Sequence, residues 1–289
     1  MVNRKYFFIS LIFVAVLVGL RFWSPINSKL PYPESIQATG EIKEVDLVAE
    51  KTTISLGQNS SFDVWSYNGQ VPGPEIRLTK GETLKINFTN NLPQPTTIHF
   101  HGIRVPNAMD GVPGVTQEPI QPGEQFTYEF TPKDAGTFWY HPHVRGSEQV
   151  ERGLYGVIVV EDPSEPTYDQ DQVLVLDDWR LTENGQLDER FNTGHDLMHD
   201  GRWGNFITVN GLSNYELQAK AGEKLRLRLV NTSNARVYKL DFGDLEAQGF
   251  AVDGMLAKEP FTAQGFELSP GNRIDVDVFV PQLSRSKPY

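Results

Sequence analysis

The chain has 289 residues, with 25 glycines, 19 prolines and no cysteine, a length that suits one large or two ordinary domains with a proper core. The absence of thiols excludes disulfides, thiolate metal sites and cysteine nucleophiles. A net charge of −11 leaves no basic stripe to neutralise phosphates, so nucleic acid is not an expected partner.

Arg4 and Lys5 precede an uncharged run from Tyr6 to Leu20, which Arg21, Phe22 and Trp23 close. The pattern predicts a targeting segment over residues 1–28, either a removed signal peptide or an inner-membrane anchor formed by residues 6–23. The run is short for a spanning helix, yet no small-x-small cleavage site follows it cleanly, so both readings stay open. Either one puts the remainder in the periplasm or another extracytoplasmic space.

After a polar linker the signals are those of strands. Phe62, Trp65 and Tyr67 read as core positions of an early strand. Thr83 to Asn90 alternates, with Leu84, Ile86 and Phe88 on one face and Lys85 and Asn87 on the other, as a half-buried strand does. Residues 98 to 114, IHFHGIRVPNAMDGVPG, then place His99 and His101 two apart. On a strand, residues i and i+2 share a face, so the two imidazoles point together and Phe100 points away. Asp110, before Gly111, is either a plain turn residue or an acid that supports a metal site and relays protons.

Gln125 to Phe130 alternates again through Phe126, Tyr128 and Phe130. GTFWYHPH supplies a second pair, His141 and His143. Pro142 cannot donate to a central ladder, which puts this pair at a strand end. Trp139 and Tyr140 read as core aromatics. The two H-x-H pairs hold four of the six histidines and suggest a cluster of neighbouring ions rather than one. Imidazole without thiolate suits copper or zinc, with copper ahead in affinity. Gly156 to Val160 is a short, continuous apolar run. Turn signals (VPGP, QPGE, PKDAG) separate these segments and no helical period is sustained, which predicts an all-β fold of sandwiches.

Farther on, His195, Met198 and His199 lie in HDLMHDGRWGN. Two histidines at i and i+4 would share a helix face and could bind a metal, while the glycines favour a polar loop.

An internal repeat orders the chain. KGETLKINFTN at 80–90 matches AGEKLRLRLVN at 221–231, Asn68-Gly69 matches Asn210-Gly211, and QPGEQFTYEF at 121–130 answers SPGNRIDVDVF at 269–279. The repeat predicts two domains of one kind, over residues 29–164 and 165–289. In the first copy two strands follow Phe130; the sequence stops ten residues after Phe279, so the second domain is expected to be incomplete, with open edges.

HFHG, then DGVPG, then WYHPH resemble the first cupredoxin domain of the multicopper oxidases, the laccase-like family, and LTKGETLKINFTN and VNGL…GNRIDV resemble its first and second domains. The resemblance covers roughly residues 40–280. It implies an all-β fold of two consecutive cupredoxin-like (plastocyanin-like) Greek-key β-sandwich domains. It also implies a copper cofactor, with His99 as a type 2 copper ligand and His101, His141 and His143 as type 3 ligands. Dioxygen and a reducing substrate (a phenol, cuprous or ferrous ion) are the implied partners. In the family a third cupredoxin domain supplies the other cluster ligands and the H-C-H motif of type 1 copper, which a cysteine-free chain lacks. Three readings follow: the N-terminal part of an extracytoplasmic oxidase, one half of a split oxidase completed in trans, or a non-catalytic copper-binding or scaffold protein.

Overall fold

The computed structural model describes residues 37–56 and 61–282; the segment expected to target or anchor the chain lies outside them. No helix among the described residues is long and apolar enough to cross a membrane. Strands dominate, as expected, and they form two consecutive cupredoxin-like units.

In the first unit, β1 (Ile42–Ile54), β2 (Phe62–Tyr67), β4 (Thr83–Asn90) and β6 (Gln125–Phe130) form one sheet in the order β2-β1-β4-β6. Facing it are β3 (Ile76–Thr79), β5 (His99–His101), β7 (Gly136–His141) and β8 (Gly156–Glu161), in the order β3-β8-β7-β5. Leu84, Ile86 and Phe88 pack inward against Phe100, Phe138 and Ile158, which is the burial that holds this sandwich together. The apolar run of β8 is continuous because both of its faces are covered. Ile158 and Val160 enter this core, whereas Val157 and Val159 pack on Val173, Val175 and Val230 of the second unit.

The second unit repeats the first sheet. It holds β9 (Gln170–Trp179), β10 (Phe206–Val209), β11 (Lys224–Asn231), β13 (Ala247–Val252), β14 (Met255–Thr262) and β16 (Arg273–Phe279), in the order β10-β9-β11-β16-β13-β14. A two-stranded pair, β12 (Tyr238–Lys239) with β15 (Glu267–Leu268), faces it. The repeat extends to single hydrogen bonds. The Asn68 side chain clamps β1 by accepting from Val48 N–H and donating to the Asp46 carbonyl; Asn210 does the same to Val175 and Val173 of β9. Both asparagines and the glycines after them have positive φ, the conformation of a type I′ turn. Asn90 and Asn231, fully buried, each donate to two backbone carbonyls and accept from a backbone N–H two residues on.

Arg226 and Arg228 stand on the polar side of an alternating strand, yet they are 3% and 1% exposed. The first unit and the linker cover that side. Arg228 donates to Asp171, to Thr137 of β7 and to Asp275; Arg226 pairs with Asp275 and Glu165. Beside this network Gly136 meets Gly254 backbone to backbone, so close that a Cβ on Gly136 would lie 2.7 Å from the Gly254 carbonyl oxygen.

Candidate metal centre

β5 and β7 pair antiparallel, with His99 opposite His141 and His101 opposite Trp139. This register does what spacing within one strand cannot: it brings imidazoles from two strands onto one face. Phe100 points into the core against Tyr128 and Phe130, and β7 ends at His141, as its proline requires. His143, one step beyond, stacks on His99 with ring centroids 4.1 Å apart. Its backbone N–H is held by the Thr97 hydroxyl.

The hydrogen bonds fix which nitrogens are free. His99 Nδ1 is 2.9 Å from the Asp110 carbonyl oxygen; a carbonyl only accepts, so Nδ1 carries the proton and Nε2 keeps its lone pair. His141 Nδ1 stands likewise against the Pro142 carbonyl at 3.1 Å. His141 Nε2 therefore presents a lone pair to His101 Nδ1, 3.3 Å away. A proton or a cation must lie between two such atoms. Two imidazole nitrogens bound at about 2.0–2.1 Å to one tetrahedral ion are about 3.3 Å apart, so the gap fits a metal. One nitrogen from each of His99, His101 and His141 falls within a 4.8 Å set, and the donors, all imidazole, suit copper.

Three of the rings are kept neutral, the form that binds metal. Burial, aided by the Arg273 guanidinium, lowers the His101 pKa to about 4. Burial also holds His141 well below its ordinary value and lowers His143, in both cases with the neighbouring His99 as the next cause.

Asp110 places a carboxylate oxygen 3.2 Å from His99 Nδ1 as well as its carbonyl. Gly111 makes this approach feasible: its φ is +72°, and a Cβ there would lie 1.9 Å from the Ile98 carbonyl oxygen.

Three contributors were missed in the sequence. Trp139 is not only a core residue, for its ring stacks on His101 at 5.0 Å and His141 at 4.0 Å; its position two before His141 was the available signal. Arg273 and Gly271 come from the second unit. Arg273 is buried against Gly102 and the Thr137 carbonyl, and Gly271 lies against the His101 ring. Nothing in β16 announces this, because the contact depends on how the two units dock. His195 and His199 are elsewhere, within and at the C-terminal cap of a helical turn (Gly194–Met198) between β9 and β10.

Residues 48–165 and 170–287 each match the multicopper oxidase family. The protein named multicopper oxidase mco of Staphylococcus haemolyticus is 31% identical over 88% of this chain and 57% of its own length. A multi-copper oxidase from Pseudomonas thermotolerans has the same fold with a TM-score of 0.80 at 40% identity, over 84% of this chain and 59% of that one. The blue copper oxidase from Nitrosomonas europaea gives 0.75 at 31% identity, over 84% and 77%. The chain spans a little over half the length of the first two relatives. Copper is the metal of this family, and it is the metal that the imidazole set suits; with both units matched in sequence and in fold, this chain belongs to the multicopper oxidases.

Proposed function

We propose that the chain supplies part of the dioxygen-reducing copper cluster of an extracytoplasmic multicopper oxidase, with His99, His101, His141 and His143 as its share of the ligands. The observation that carries this reading is the convergence of the His99, His101 and His141 nitrogens within 4.8 Å. Copper, when bound, supplies one-electron redox chemistry. The chain's own residues hold the imidazoles aimed, Trp139 closes one side of the site to water, and the Asp110 carboxylate stands beside His99 Nδ1, placed to relay the protons that reduction of dioxygen to water consumes.

The remaining ligands and a thiolate copper centre belong, by family resemblance, to a third cupredoxin domain, and the full reaction is then a property of the whole assembly. Whether that domain follows in the same polypeptide or acts in trans does not alter the role of these four histidines. The division near residue 164 into a ligand-bearing and a supporting unit, and export by the segment at residues 1–28, are parts of the same proposal. A non-catalytic copper-binding or scaffold protein is the competing reading, and the paired, converging imidazoles weigh against a pure scaffold.

Purified chain loaded with copper is expected to bind the ion weakly, show no blue absorption and consume no oxygen with a phenolic donor. His101→Ala with His143→Ala is expected to abolish binding at the cluster. Steady oxygen uptake by the loaded chain alone, or full copper retention by the double variant, would overturn the assignment.

A further inference from the structure

We propose that His195 and His199 form a second metal site, a bidentate imidazole chelate for a borderline transition-metal ion, copper(II) foremost, on the surface of the second unit. His195 lies in the helical turn Gly194–Met198 and His199 caps it. Their i, i+4 spacing brings the ring centroids to 4.6 Å with planes 37° apart. Both side chains are exposed. Among the described residues neither ring has a hydrogen-bond or ion-pair partner, so all four ring nitrogens are open to a ligand-seeking ion.

An exposed pair on a frayed turn would lose much of its affinity to ordering, and this turn is not frayed. The Thr193 hydroxyl caps it by accepting from Asp196 N–H at 3.2 Å. The Asp196 carboxylate accepts three hydrogen bonds from Arg180, at 3.0 to 3.2 Å. On either side, Asn192 bonds Ser147 and Trp203 Nε1 donates to the Asp200 carbonyl. The backbone that carries the two imidazoles is therefore set before an ion arrives, which lowers the cost of chelation.

Met198 stands three residues after His195 and is 82% exposed, a costly placement for an apolar side chain. For the two imidazoles alone, copper(II) stands ahead of nickel and zinc in affinity. With two imidazoles instead of a converging set of three, the site fills after the His99 cluster.

The site is independent of the cluster, and the test separates the two. The full chain carrying His101→Ala and His143→Ala is dialysed to equilibrium with copper(II) alone, and bound ion is counted with nitrogen coupling read by electron paramagnetic resonance. The background variant is expected to retain one ion per chain with two coupled nitrogens. A chelate needs both rings, so His195→Ala and His199→Ala should each remove that whole equivalent. Retention of no copper by the background, or partial and additive losses in the single variants as for independent surface histidines, would overturn the proposal. Failure of the cluster assignment would instead appear as no loss of copper between wild type and the background.

Discussion

Strands β4 and β11 hold the same place in the two units, each parallel to the unit's first strand and antiparallel to its partner across the repeat, β6 or β16. Both alternate apolar with polar residues, yet their polar faces meet different surroundings. Lys85 and Asn87 are partly exposed and bond Glu44 at the surface, whereas Arg226 and Arg228 are buried among Asp171, Asp275 and Glu165. Alternation reports that two faces differ in chemistry; it does not report that one is wet. The residue type carries the finer signal, because a planar, weakly hydrated guanidinium tolerates burial in an ion-pair network better than an ammonium does.

Breaking this contrast should give the largest effect. Arg228→Ala leaves Asp171 and Asp275 short of a buried partner and is expected to cost about 3–5 kcal/mol in denaturant unfolding, while Lys85→Ala should leave the midpoint unchanged. Equal losses would mean that the two polar faces are alike after all. Within the first unit, Gly111→Ala must push the turn away from Ile98 and is expected to cost about 1–3 kcal/mol and to weaken copper binding by moving Asp110 off His99. Gly114→Ala also meets a positive φ but has open space around it, so copper binding should survive there.

The shared features sharpen the comparison from the other side. Asn90→Ala and Asn231→Ala remove equivalent buried hydrogen bonds, so each should cost about 1–3 kcal/mol. A large difference between them would show that the repeat is geometric but not energetic.

The smallest effect is a pair of opposed pH slopes in protein freed of metal. The folded His101 pKa, about 4, is below the ordinary 6.5, so between these values the unfolded chain binds a proton that the folded one does not. Stability from this group is whole above pH 6.5 and is lost as pH falls toward 4. Glu151 runs the other way: burial raises it from 4.5 to about 7, so its contribution is whole below 4.5 and is lost as pH rises through 7. His101→Gln should flatten the acid loss, and Glu151→Gln should steepen it, as read from urea midpoints between pH 4 and 7.

Much of this was legible in the residues. The repeat placed β4, β6, β11 and β16 and the two Asn-Gly turns, because each rests on local alternation or on a backbone conformation that few residues adopt. The H-x-H pairs identified the face on which the imidazoles meet, since side-chain direction on a strand has a period of two. What could not be read was pairing across strands and units. The meeting of His101 with His141 depends on the β5–β7 register, and the arrival of Arg273 and Gly271 depends on docking; neither leaves a periodic trace. The turn at 194–198 reads as loop because its glycines outweigh a single helical turn, and Thr193 at its cap was the overlooked cue.

The meeting of Gly136 with Gly254 has a consequence for motion. Polar interfaces between domains ordinarily permit hinge and shear movement as the default. Here the two backbones meet so closely that a Cβ on Gly136 would lie 2.7 Å from the Gly254 carbonyl oxygen, with the Phe138 ring against Gly254, so a slide in that direction is opposed. Arg273, paired with Asp253 beside this contact, brings its charge to His101 from a point where such movement is opposed.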